Sequence, residues 1–143
     1  MEVKNFERIV NFVEYQSANG DTMYLPLVEI TFITSNSNQS FSLMFDTGAS
    51  RIYLRSDLYP LLGINSLDEC EQIPVGGIGG SQIGYKHTAN LEIFGKVFNC
   101  PIIFAQIAHH ELYHGLLGRD PVFSEFGFGF WEYSKELFIT DNP

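Results

Sequence analysis

Basic residues are scarce in this chain. Eight Lys and Arg stand against seventeen Asp and Glu, a formal net charge of -9 over 143 residues. A phosphate backbone would be repelled by that field, which argues against nucleic acid as a partner, and an anionic membrane surface is disfavoured for the same reason. Long apolar runs are missing too: none approaches the roughly 20 residues that a membrane-spanning helix needs. The opening residues, Met1-Glu2-Val3-Lys4-Asn5, lack the basic-then-apolar layout of a signal peptide. The expectation is a cytoplasmic protein. Cysteine is equally rare. Cys70 and Cys100 are the only two, and in a reducing compartment two free thiols are expected rather than a disulfide. No low-complexity segment, repeat or Pro/Ser-rich linker breaks the chain.

What is present is a core. Hydrophobic residues make up 45% and charged residues 17%, which argues against disorder. The length suits one domain over residues 1–143, large enough to fold without a metal or disulfide staple. Thirteen Phe and seven Tyr favour strands over helices. The punctuation is that of a β protein. Glu7 to Tyr15 is rich in β-formers, and Ser17-Ala18-Asn19-Gly20-Asp21 supplies a hairpin turn. Met23 to Thr34 reads as a long strand, with Pro26 at a bulge or edge. After a turn at Ser35 to Gln39, Phe41 to Phe45 is a strand that runs into Asp46-Thr47-Gly48-Ala49. Ser56-Asp57 offers an N-cap for a helical turn through Leu62, ended by Gly63. Leu91 to Phe94, Val97 to Asn99 and Ile102 to Ile107 read as strands, with Gly95-Lys96 as a tight turn. Asp120 as N-cap and Pro121 at the first position start a short helix that ends near Gly127. Phe128 to Thr140 reads as two strands. The short connections predict antiparallel pairs in an all-β protein with one short C-terminal helix.

Three features stand in order. Asp46-Thr47-Gly48-Ala49 ends an apolar strand, Val75-Gly76-Gly77-Ile78-Gly79-Gly80 is a glycine-rich hairpin tip, and Gly115-Leu116-Leu117-Gly118-Arg119-Asp120 leads into the short helix. Together they resemble the retropepsin family, the single-domain aspartic proteases of retroviral type, over roughly residues 23 to 130. The resemblance implies a closed, barrel-like acid-protease fold with a flap. It also implies a homodimer, because the chain holds one Asp-Thr-Gly and two carboxylates are needed. Asp46 of each protomer would be catalytic, and the pair would share a proton. The substrate would be an extended peptide, with no metal or organic cofactor. Thr47 would bridge the two catalytic loops. Gly48 would let backbone approach the scissile peptide. Ala49, where relatives often carry Ser, would leave the pair without a stabilising hydroxyl and so keep its proton to higher pH. Gly76, Gly77, Ile78, Gly79 and Gly80 would form the flap tip, and Ile52, Ile78, Ile83 and residues near Leu117 the apolar side pockets. Many retroviral members pair the Arg119 equivalent with an acid shortly after the catalytic Asp. Here Ser50 and Arg51 occupy those places, and Asp120 is the substitute partner. Glu2 to Tyr15 and Phe128 to Thr140 would form the dimer sheet or cover an edge.

Two other readings compete. His110-Glu111-Leu112-Tyr113-His114 is a literal H-E-x-x-H, which on a helix would set two imidazoles toward a zinc ion beside a glutamate base. The same fold without turnover would be a peptide-binding module.

Overall fold

Turn residues cut the chain into strands, and the successive strands that do pair run antiparallel, because the links between them are too short for a crossover. The computed structural model describes residues 6–142. Its strands are β1 (Arg8–Asn11), β2 (Val13–Gln16), β3 (Thr22–Leu25), β4 (Leu27–Ile33), β5 (Gln39–Phe45) and β6 (Ile52–Arg55). They continue with β7 (Glu71–Gly77), β8 (Gly80–Ile93), β9 (Lys96–Ala105), β10 (Gly115–Leu117), β11 (Phe126–Trp131) and β12 (Glu136–Asp141). One helical turn, α1 (Val122–Glu125), precedes β11. The mostly β composition expected from the sequence is observed.

The largest sheet runs β4-β5-β10-β6-β9-β8-β7, and β4 also pairs with β8. Six strands thereby close into a ring, and the β7–β8 hairpin projects from it. Period-two burial fills the ring. Val28, Ile30 and Phe32 of β4 are buried, as are Phe41, Leu43 and Phe45 of β5 and Ile52 and Leu54 of β6. Each such side chain contributes about 1.5–3 kcal/mol on leaving water. A three-stranded sheet, β1-β12-β11, packs against one end. Its Phe128 and the Phe123 ring of α1 sit 4.9 Å and 5.0 Å from the Phe45 ring. The residue just before Asp46 is therefore clamped between aromatic rings.

β10 is the unusual element. It lies parallel to β5 and antiparallel to β6, and so bridges two strands that the chain leaves apart. Gly115 and Gly118 bracket it because the neighbouring backbone comes too close for a side chain. A Cβ at Gly118 would fall far inside van der Waals contact distance of Arg51 O and 2.7 Å from Ala49 O. Backbone cannot swing aside as a side chain tip can. Gly118→Ala is therefore expected to cost about 3 kcal/mol or more. A chemical-denaturation curve checks this; an unchanged midpoint would show that the crossing yields.

Several expectations need correction. Met23 to Thr34 is two strands that part at Pro26. Val97 to Asn99 and Ile102 onward are one strand, β9, running through Pro101. The missing N–H is tolerated because β6 pairs only with Ile102 to Ala105, leaving Pro101 flanked by β8 alone. The strand expected at Leu91 begins far earlier, as part of β8 (Gly80–Ile93). The turn before β9 is Phe94-Gly95, with both residues at positive φ. The first helical turn is a 3-10 turn over Ser56–Leu62, with Arg55 in the cap position and no side-chain cap. Asp57 is engaged instead by Arg55 Nε at 2.6 Å. α1 is preceded by Pro121 rather than capped by Asp120, whose N–H is committed to Ser50 O at 2.9 Å, and it ends at Glu125. The terminal segments pair with each other within the chain, β1 against β12, an arrangement that contradicts neither a dimer sheet nor edge cover; residues 2–5 lie outside the described residues.

Candidate active site

Asp46 follows directly from β5, and its position is fixed by backbone on both sides. Its N–H donates to Leu117 O at 3.0 Å, and its own carbonyl accepts the Ala49 N–H at 3.2 Å. The second bond folds residues 46–49 into a tight turn. Within it Gly48 N–H donates to Asp46 Oδ1 at 2.9 Å, which orients the carboxylate. A Cβ at Gly48 would sit 3.2 Å from that same oxygen. Ala49 is buried, whereas Thr47 and Gly48 are exposed. Among the described residues the Thr47 hydroxyl has no hydrogen-bond partner. The far side of the turn is sewn down by Arg119 N–H to Ala49 O and Asp120 N–H to Ser50 O, both 2.9 Å. Among the described residues Arg119 makes no ion pair, with Asp120 or otherwise, so backbone joins these segments where a salt bridge was expected.

Asp46 opens on a cavity of about 480 Å³. Gly48, Ala49 and Ser50 line it beside the carboxylate. Tyr53, Ala105, Ile107 and Leu116 form its walls, and Val75, Gly76, Gly77, Ile78 and Gln82 of the projecting hairpin roof it. The hairpin closes at Gly77↔Gly80 with Ile78-Gly79 between. Gly79 and Gly80 take φ of +95° and +118°, which side-chain-bearing residues adopt only under strain. Ile78 is fully exposed at the tip.

The structure thus brings Asp46, Gly48, Ala49, Gly76, Gly77 and Ile78 to one cavity. Thr47, Gly79 and Gly80 adjoin it without lining it. Leu117 and Ile52 do not line it: both are fully buried and turned into the ring. Ile83 faces a neighbouring depression with Leu67 and Phe104 instead. Tyr53 and Leu116 take their places. Strand alternation carries this information, because once Ile52, Leu54 and Leu117 point inward their neighbours must point outward. Gln82 and Ile107 carried no such local mark.

The H-E-x-x-H lies elsewhere. Residues 106–114 are a non-helical link between β9 and β10, so His110 and His114 do not share a helix face. His110 Nδ1 accepts the Leu112 N–H at 3.0 Å, and its ring stacks on Tyr113 at 4.4 Å. His114 packs on Phe41, with Nδ1 buried and without a partner among the described residues. Burial, helped by the Arg55 guanidinium, holds His114 below the usual imidazole range. Among the described residues no three His, Cys, Asp or Glu side chains gather to hold a metal. Cys70 and Cys100 are both free thiols, and burial pushes Cys100 up to about 11. No protein-family model matches the chain, and no curated protein matches it.

Proposed function

We propose that the chain is an aspartic endopeptidase with a retropepsin-like fold, acting as a homodimer with Asp46 of each protomer in one dyad. One observation carries the reading. The only Asp-Thr-Gly in the chain sets its carboxylate, held by a backbone N–H, at the floor of a cavity roofed by a glycine-rich hairpin. The exposed, unpartnered Thr47 supports it, since a hydroxyl there is free to bond across a two-fold axis.

The chemistry follows from two carboxylates in contact. They cannot both ionise, so one holds the shared proton. The ionised partner takes a proton from a water, whose oxygen attacks the scissile carbonyl carbon. The protonated partner gives its proton to the carbonyl oxygen, forming a neutral tetrahedral gem-diol. Proton transfer to the amide nitrogen then breaks the C–N bond. An extended peptide fits between turn and hairpin as an added strand, with its side chains against Tyr53, Ile107, Leu116 and Ile78.

The test is digestion of a mixed peptide library, read by mass spectrometry with and without a strong chelator. Internal cleavage that the chelator leaves unchanged is expected. Intact peptides would favour the silent binding module. Cleavage abolished by the chelator would favour zinc chemistry.

A further inference from the structure

β8 loses a neighbour before it reaches the hairpin tip. Its ladder to β9 runs from Ile93↔Lys96 to Tyr85↔Phe104, and β9 ends at Ala105. From Gly84 to Gly80 the strand pairs with β7 alone. The side chain of Gln82 supplies the missing support. Its Oε1 accepts the Gln106 N–H at 2.7 Å, and its Nε2 donates to the Gln106 carbonyl at 3.2 Å. A side-chain amide here makes the pair of bonds that two facing backbone residues would exchange, one donated and one accepted. Behind it the hairpin root is tightly packed. A Cβ at Gly84 would lie 2.5 Å from Val75 Cγ2 and 2.8 Å from Ile103 Cγ2. Ahead of it nothing is packed among the described residues. A Cβ at Gly76, Gly77, Gly79 or Gly80 would meet no atom within 4 Å.

We infer that Gln82 is a positioning residue, an amide clamp that fixes the hinge of the hairpin at Val75–Gln82. Motion is confined to residues 76–81. The same clamp fastens Gln106, and so holds the adjoining Ile107 as a cavity wall against the hairpin root. The clamp stands on its own geometry, whereas its effect on peptide binding rests on the peptidase reading. A loose hinge would leave roof and wall unaligned until substrate orders them, which weakens binding more than it slows the chemical step.

Two variants and two readouts separate these parts. Gln82→Ala removes both bonds. Gln82→Glu is the sharper probe. Its ionised carboxylate accepts the Gln106 N–H but repels the Gln106 carbonyl. Its protonated form donates an O–H to that carbonyl and accepts the N–H, which restores the amide's pattern. Amide exchange by NMR, corrected for intrinsic rates, is expected to show the Gln106 protection factor falling about tenfold in Gln82→Ala. In Gln82→Glu the acceptor is kept but the carboxylate is driven off the Gln106 carbonyl, so protection falls less at pH 7 than in Gln82→Ala and recovers as pH drops below the usual Glu value of about 4.3. Protection within β4 and β5 stays unchanged throughout. With a cleaved peptide, Gln82→Ala is expected to raise KM about fivefold and leave kcat within about twofold. Unchanged Gln106 exchange in Gln82→Ala, or a Gln82→Glu variant blind to pH, overturns the clamp. Exchange that moves while KM does not overturns its role in substrate binding. An inactive wild type with exchange behaving as described overturns the peptidase reading and leaves the clamp standing.

Discussion

Asp46→Asn is expected to lower peptidase activity by about 10⁴-fold or more, to the background of the assay, while leaving the fold intact. The substitution keeps size and shape. The Asn carbonyl oxygen still accepts the Gly48 N–H that holds the turn at 2.9 Å. Asp46 N–H to Leu117 O and Ala49 N–H to Asp46 O are backbone bonds and survive as well. What disappears is the proton that moves. An amide neither takes a proton from water at ordinary pH nor gives one to a carbonyl oxygen. The check is a progress curve on a peptide cut by the wild type, alongside thermal unfolding and sizing of the variant. A cleanly folded Asp46→Asn protein that still cuts would exclude the carboxylate mechanism.

The second large effect is in protein concentration. One Asp46 per chain cannot build the dyad, so a lone protomer is expected to be inactive. Well below the dimer dissociation constant the rate should rise with the square of total protein, and well above it the rate should become linear. The net charge of -9 makes each protomer repel the other. Added salt screens that repulsion and is expected to shift the crossover to lower protein concentration. Rates measured across several decades of enzyme, at low and high salt, give both results from one data set. Strictly linear kinetics from a species that light scattering sizes as a monomer would contradict a shared site.

Much of the scaffold was legible because turns are local chemistry. Asn19-Gly20, Gly63 and the glycines after Ile78 fall where the chain reverses or a helical turn ends. The alternation in Phe41, Leu43 and Phe45 marks a strand with one buried face. Asp46 could be singled out because it stands at the end of such a strand with Thr-Gly after it. The cavity walls were less legible because they depend on which strands become neighbours. Leu117 and Leu116 look alike in sequence, and only the insertion of β10 between β5 and β6 decides that Leu117 goes inward and Leu116 faces the cavity. Gln82 and Gln106 are separated by 24 residues, and nothing near either announces their pairing. The Asp120 cap failed because Pro121 takes the cap position and no side chain, that of Asp120 included, accepts an N–H of the helical turn. The H-E-x-x-H pattern needed a helix to mean anything, and residues 106–114 do not form one.

The central claim, two Asp46 carboxylates in one site, is tested most directly by titrating a fixed amount of wild-type chain with the Asp46→Asn chain after the two have been allowed to exchange partners. A dyad on the symmetry axis would leave a mixed dimer with one carboxylate, which cannot share a proton between two. Activity is expected to fall toward zero as mutant chain reaches large excess, following the fraction of wild-type chains still paired with each other. Activity that stays constant as mutant chain is added, in samples where mass spectrometry shows mixed dimers, would mean that each protomer works with its own site and that Asp46 does not act in pairs.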